Sequence, residues 1–444
     1  MVSPGERATS LGCQPETVTD VGIANFRKKS NGQANCRYYL KTKHPPSYEF
    51  VALVALLISM VAFATDAMLP AFPEISADLD LPHTNHAQLV VIVFILGTGL
   101  GQLVMGPLSD SFGRKLIICI GLGMFFLASA WAFYAGSFYS MLAARFVQGI
   151  GVSAPRTVTQ AMVRDRHSGR NMARVLSFAM MLFVLVPAVA PYIGQTIMLN
   201  FGWRTIFVAF QIIAVAVAVW LMFRQPETHS PDKRTRFRLA TIAYAAAEVL
   251  SNRRVITCTF SLSLGLTCIF AYLVSAQQVY VAWLGAGHDF PFYFALVAII
   301  SGSASFLNAL LVVRFGMWEL CTFGYLAICL LSVAAAFVVF KNTMPVQFLL
   351  WMFVSWSTGM FFLLGLCLAN LNALALEPMG HIAGMASSII GAVSTLFCIM
   401  LAVPIGQLFD GTGFPLIAGV AICSGIAFVL NLSMRKQPLP AGPN

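Results

Sequence analysis

Gly106-Pro107-Leu108-Ser109-Asp110-Ser111-Phe112-Gly113-Arg114-Lys115 is the stretch from which the fold is read. It lies between two apolar runs, residues 87–105 and 116–135, each long enough to cross a bilayer as a helix. The connection is short, yet it carries an acid, two bases, two glycines and a proline. Gly106 removes a side chain where a helix packs on a neighbour, and Gly113 permits a tight reversal. Asp110 and Arg114 are four residues apart, the spacing of an ion pair on a helical turn.

Working outward, 58% of the 444 residues are hydrophobic and only 10% are charged. A soluble chain carries about 25% charged residues. The apolar residues come in repeated blocks of about twenty, the pattern of a polytopic helical membrane protein. Twelve spans are expected: 48–69, 87–105, 116–135, 139–161, 175–198, 203–223, 255–278, 291–313, 320–340, 346–369, 381–406 and 414–434. An even number puts both ends on one side. The tails and the loops on that side carry 23 of the 27 Lys and Arg; Arg204 and Lys341 lie opposite, and Arg145 and Arg156 lie inside a span. By the positive-inside rule both termini are cytoplasmic. The net charge of +10 is therefore an orientation signal and not a nucleic-acid surface.

The expected organisation is a cytoplasmic tail (1–47), a six-helix half (48–223), a basic linker (224–254), a second half (255–434) and a short tail (435–444). The first tail has no apolar core and does not read as a signal peptide. Within the linker, 235–252 mixes apolar residues with basic ends, as in a helix lying on the anionic inner leaflet. Phe112-Gly113 has a faint counterpart in Phe315-Gly316, preceded by Arg314. The ten cysteines are scattered without Cys-x-x-Cys, so neither a disulfide framework nor a metal site is expected.

Chemistry is sought among polar groups inside the spans. Of seventeen Asp and Glu, Asp66 alone falls clearly within one. A lone carboxylate there costs about 3 kcal/mol to insert, and burial disfavours its charged form, as a proton carrier requires. Arg145 and Arg156 lie eleven residues apart in the fourth span, on nearly one helix face and about 16 Å apart along the axis. Asp66 and Arg145 sit at similar depth on different spans and are expected to pair, directly or through water, when Asp66 is deprotonated. Asp165, at the exit of the fourth span, is expected near Arg114 as a salt-bridge partner. Pro187 and Pro191 in the fifth span lack backbone donors and predict a bent or loosened helix. Gly194 allows close approach to a neighbour. The second half supplies Tyr272, Gln277, Gln278, Asn308, Trp356, Asn370 and Asn372 among many Phe and Met. Of these, Tyr272, Gln277, Trp356 and Asn370 are candidate cavity residues. No catalytic constellation or metal-ligand spacing appears in the spans, so an enzyme is not expected.

The opening stretch closely resembles the loop 2–3 signature of the major facilitator superfamily: Gly106, Leu108, Asp110, Gly113, Arg114 and Lys115 match, and Ser111 stands where an Arg is usual. Arg145-Phe146-Val147-Gln148-Gly149 resembles the fourth-helix signature of that superfamily. Pro191 and Gly194 match the antiporter signature of drug exporters, in which Ala190 and Gln195 replace glycines. Thr65-Asp66-Ala67-Met68-Leu69-Pro70-Ala71-Phe72-Pro73, Val163-Arg164-Asp165, Gly202-Trp203-Arg204 and Ala383-Gly384-Met385-Ala386-Ser387-Ser388 are similar to stretches of bicyclomycin/chloramphenicol resistance transporters. The resemblance implies an all-α membrane protein, with twelve helices in two pseudo-symmetric six-helix halves. It implies proton-driven export of amphipathic drugs from a bacterial inner membrane, by a monomer that needs no cofactor beyond the coupling proton. A proton-coupled transporter of a natural metabolite is the alternative on the same fold.

Overall fold

A computed structural model describes residues 48–167, 169–234, 239–287, 289–341 and 343–434. The two tails expected at 1–47 and 435–444 lie outside the described residues, as do 235–238 of the linker. Twelve long helices are present: α1 (Tyr48–Asp66), α2 (Leu89–Phe112), α3 (Arg114–Phe133), α4 (Phe138–Arg166), α5 (Gly169–Phe201), α6 (Thr205–Arg224), α7 (Arg253–Gln278), α8 (Phe290–Gly302, resumed as Ala304–Phe315), α9 (Met317–Lys341), α10 (Val346–Leu376), α11 (Ala383–Gln407) and α12 (Phe414–Met434).

Among the described residues, nine helical stretches are long and apolar enough to cross a membrane, and one of them, Val346–Gln407, contains both α10 and α11. Helix α4 falls short because Arg145, Gln148, Ser153 and Arg156 run along it. Only Leu185–Phe201 of α5 counts, as a shorter apolar helix. The spans agree with the expected ones in number and order, with differences at their ends and interruptions. Helices α2, α4 and α10 run several residues further, ending at Phe112, Arg166 and Leu376, so most of the stretch read as a connection is helical, and α5 begins earlier, at Gly169. Helix α8 is interrupted at Ser303, whose hydroxyl donates to the Ile300 carbonyl at 2.7 Å beside Gly302. A Gly/Ser pair is a known cause of such breaks. Helix α5 stays continuous across Pro187 and Pro191.

The packing repeats itself. Helix α2 lies on α4, α3 on α4, α1 on α5, α3 on α6 and α1 on α4. Adding six to each number gives α8 on α10, α9 on α10, α7 on α11, α9 on α12 and α7 on α10, all of which are also present. The halves meet through α2 on α11 and α5 on α8, a pair of contacts that the same shift exchanges. This is the pseudo-symmetry of two parallel repeats.

The Phe-Gly repeat falls on that symmetry. Gly113 (φ 108°) and Gly316 (φ 88°) both turn the chain between a second and a third helix of their half. A side chain at either would also strike a carboxylate, Glu227 Oε2 at 2.6 Å or Glu319 Oε2 at 2.7 Å. The linker helix Leu239–Ser251 buries Ala245 and Val249 and leaves Tyr244 and Leu250 exposed. It packs against α7 and α11, and His381 Nε2 lies 2.7 Å from Glu248 Oε1. Among the described residues all eight cysteines are free.

Candidate functional site

Asp66 is the last residue of α1, and the chain loosens beyond it into a turn and a short 3-10 segment, Leu69–Ala71. It is 2% exposed. Two helices close on it. From α4, Arg145 is fully buried, and its Nη2 donates to the Ala64 carbonyl at 3.1 Å, two residues before Asp66. From α5, Gly194 packs directly on the Ala67 carbonyl, one residue after Asp66; a Cβ there would lie far inside van der Waals contact. The antiporter-like stretch of α5 is thus seated on the end of α1 that carries the acid.

The expected ion pair between Asp66 and Arg145 is not formed: among the described residues no salt bridge joins them. Instead Arg145 Nε donates to the Val90 carbonyl at 3.0 Å, and its Nη1 donates to Gln148 Oε1 at 2.5 Å. The guanidinium carbon stands 4.3 Å from the Phe94 ring centre. Carbonyl dipoles, an amide and a ring face thus solvate the cation. Gln148 in turn donates to Ser129 Oγ of α3 at 2.6 Å, so it holds Arg145 and α3 together. Gly149 takes the close approach of α2, since a Cβ there would clash with the Phe94 carbonyl. The fourth-helix signature therefore serves packing and the seating of Arg145 at once. Arg156 lies further along α4 and is half-buried.

At the basic end of the bundle, Arg114 Nη1 stands 2.6 Å from Asp110, and its Nε donates to Asp165 Oδ2 at 3.0 Å. Its Nη1 also donates to Ser109 Oγ at 2.6 Å. The 7% exposed Arg114 therefore ties α2 to the end of α4. A cavity of about 160 Å³ opens here, lined by Gly106, Asp110, Arg114, Arg164, Met385 and Ser388 among others. Three stretches far apart in sequence and singled out there, in the loop 2–3 region, at 163–165 and at 383–388, meet at this one place.

Sequence reasoning missed Glu227. Its carboxylate accepts from the backbone N–H of Arg114 at 3.0 Å and of Lys115 at 3.1 Å, which caps the start of α3. An acid three residues past the end of α6, at the start of a basic linker, was the available signal. Gln225 beside it accepts from Arg166 Nη1 at 2.8 Å.

Sequence reasoning also missed a tie across the halves at the opposite end. Gln88 Nε2 at the start of α2 donates to Gln278 Oε1 of α7 at 2.6 Å and to the Gly406 carbonyl of α11 at 3.2 Å. Gln278 Nε2 donates to Asn85 Oδ1 at 3.0 Å, and Gln407 Nε2 donates to the Asn85 carbonyl at 2.8 Å. Amides that interrupt apolar runs were the only trace of this network in the sequence.

Three of the four cavity candidates of the second half have partners on neighbouring helices. Trp356 Nε1 donates to Ser332 Oγ of α9 at 3.0 Å. Asn370 Nδ2 donates to Asn308 Oδ1 of α8 at 2.8 Å. Gln277 is buried at 3% exposure. Tyr272 stacks on Phe353 with ring centres 5.9 Å apart and meets Phe361 edge-on at 5.0 Å. The polar groups of Trp356 and Asn370 are thereby committed to neighbouring helices.

Comparison with known proteins agrees with this fold. The family model described as Major Facilitator Superfamily matches residues 54–403. A bicyclomycin resistance protein homolog of Haemophilus influenzae is 28% identical over 397 residues, covering 88% of this chain and 98% of that protein. The multidrug resistance protein MdtL of a Shewanella species is 28% identical over 392 residues, covering 86% and 94%. Among solved structures, a D-xylose–proton symporter superposes with a TM-score of 0.67 at 16% identity, covering 88% of this chain and 98% of that one. The xylose transporter XylE of E. coli in a partially occluded inward-open conformation gives 0.68 at 14% identity, covering 88% and 99%.

Proposed function

The chain belongs to the Major Facilitator Superfamily, and from that premise we propose that it exports amphipathic small molecules, antibiotics among them, in exchange for protons. The relatives named for bicyclomycin and multidrug resistance support the substrate class. The observation that carries the coupling is the setting of Asp66. It is a buried carboxyl at the broken end of α1, without an ion pair among the described residues, gripped between α4 and α5. A carboxyl so placed exchanges a proton at the least cost to the surrounding packing.

The cycle is short. With Asp66 protonated, Arg145 rests on the Ala64 and Val90 carbonyls. Loss of the proton draws Arg145 from Ala64 onto the new carboxylate. That movement pulls on α1, α2 and α4 together and biases the two halves toward their other arrangement. Proton and drug must act on this one equilibrium, since a ligand shifts it only by its differential affinity for the two states. The Arg114–Asp165 pair locks one arrangement of the first half at its cytoplasmic end, and the Gln88–Gln278 network closes the outer end between the halves. The protein works as a monomer in a bacterial inner membrane with both termini cytoplasmic, and it needs no cofactor besides the proton.

The test uses inverted membrane vesicles with an acidified lumen. Chloramphenicol and bicyclomycin are added and luminal pH is followed for the wild type and Asp66→Asn. Drug-dependent proton release that the substitution abolishes is the expected result. Release that persists in Asp66→Asn moves the proton carrier elsewhere, and no release with any drug overturns the exporter reading.

A further inference from the structure

One cation inside the bundle has neither an ion pair nor a hydrogen bond among the described residues. Arg156 lies on α4 eleven residues after Arg145, hence about 20° around the helix and about 16 Å nearer the basic end. The neighbouring faces of α4 are occupied. Gly101 of α2 packs on Ile150 and Ser153, and Gly121 of α3 packs on Gly151, Ala154 and Pro155. Val152 and Arg156 lie away from the faces that these glycines pack, on the side where Arg145 reaches the Ala64 carbonyl of α1. Val152 is buried there, whereas Arg156 is half-buried. Among the described residues, no hydrogen bond or ion pair reaches the Arg156 guanidinium. Three residues on, Thr159 is fully buried and its Oγ1 has no partner. Residues three apart are neighbours on a helix surface.

An arginine in a membrane interior costs about 3 kcal/mol or more unless something solvates it. Arg145 is solvated by carbonyls, an amide and a ring, and Arg156 by none of these. Asp66, the one acid inside the spans among the described residues, lies at the level of Arg145, about 16 Å away along the axis. When Asp66 carries its proton, this interior holds two positive charges and no negative one.

We propose that Arg156, with Thr159, forms the head-group site for substrate, and that the substrates it takes are amphipathic acids, carboxylates or ionised enols, in preference to lipophilic cations. This deepens the exporter reading and rests on it. A guanidinium meets a carboxylate through two parallel N–H···O bonds, and the Thr159 hydroxyl supplies a third donor. An anion lowers the positive charge of the interior, whereas a lipophilic cation raises it to three.

The test is equilibrium binding by the full-length protein in detergent, followed by tryptophan fluorescence. Fusidate is the acidic probe and tetraphenylphosphonium the cationic one. The wild type is expected to bind fusidate at least tenfold more tightly than tetraphenylphosphonium. Arg156→Gln is expected to lose at least tenfold in fusidate affinity, and Arg156→Lys, which keeps the charge but not the paired N–H donors, to lose severalfold less than Arg156→Gln. Fusidate binding that is unchanged in Arg156→Gln, or no preference for the acid in the wild type, overturns the proposal. Arg156→Lys guards against misfolding: if both variants lose fusidate equally while unfolding at the wild-type temperature, charge recognition is refuted. The exporter reading is judged separately by drug-driven proton release, so a failure of either is visible without the other.

Discussion

Gly194 of α5 rests on the carbonyl of Ala67, the residue that follows Asp66. The fifth helix is therefore in backbone contact with the broken end of the first, and no side chain fits between them. Any movement of α5 is felt at the acid. Gly194→Ala places a methyl group against a backbone oxygen that has little room to retreat. Overpacking of this kind costs about 1–3 kcal/mol. The variant is expected to insert and fold but to release protons in response to drug at least tenfold more slowly. An unchanged rate in vesicles matched for protein content would separate this contact from coupling.

Asp66 and Arg145 differ in what holds them, so their substitutions should differ in kind. Arg145 is the hub of three hydrogen bonds, and its loss removes partners of the Gln148 amide oxygen and of the Ala64 and Val90 carbonyls and leaves a cavity. Arg145→Ala is expected to destabilise by about 1–3 kcal/mol and to lower the thermal midpoint by several degrees. Asp66→Asn removes no ion pair and should stay within about 1 kcal/mol of wild type while abolishing proton release. Thermal unfolding of both variants in detergent checks this; a large loss in Asp66→Asn would show a structural role for the carboxylate.

The amide network at the opposite end joins α2 of one half to α7 and α11 of the other. Hydrogen bonds between membrane helices contribute about 0.6–2 kcal/mol each. Replacing Gln88 and Gln278 together by Ala is expected to shift the two-state equilibrium by about 1–2 kcal/mol, a factor of about 5–30, toward separation of those ends. Distances between spin labels on the α1–α2 and α7–α8 loops report it. An unaltered distance distribution would mean that apolar packing alone closes this end.

At the basic end, Arg114 links Asp110 and Asp165 beside the cavity that Ser388 lines. Partly exposed pairs contribute about 1 kcal/mol or less, so Asp165→Asn should leave the fold intact and loosen only this contact. A cysteine placed at Ser388 is expected to react severalfold faster with a water-soluble maleimide in the Asp165→Asn background. Equal rates with and without Asp165 would show that the pair does not control access.

Fold and site were legible in the sequence to different degrees. Apolar blocks of about twenty residues can only be spanning helices, because lipid leaves backbone groups no other partners. The Gly106–Lys115 stretch marked the family through its resemblance to the loop 2–3 signature. The Phe112-Gly113 and Phe315-Gly316 echo announced the repeat, because the same reversal is needed at the same point of each half. Asp66 and Arg145 stood out because charges are rare where they are costly.

Partnership had to await the fold. Sequence depth put Asp66 and Arg145 at one level, yet Arg145 turned out to bond to Ala64, Val90 and Gln148, since backbone carbonyls and an amide lie within its reach where the three helices meet. That Glu227 caps α3, that Gln88 reaches Gln278 and that Gly194 touches Ala67 depends on helices more than a hundred residues apart in the chain. Composition and periodicity determine which segments enter the membrane, since that is a transfer free energy summed along the chain. Which side chains meet there is set by how twelve helices pack, and only the tertiary structure decides it.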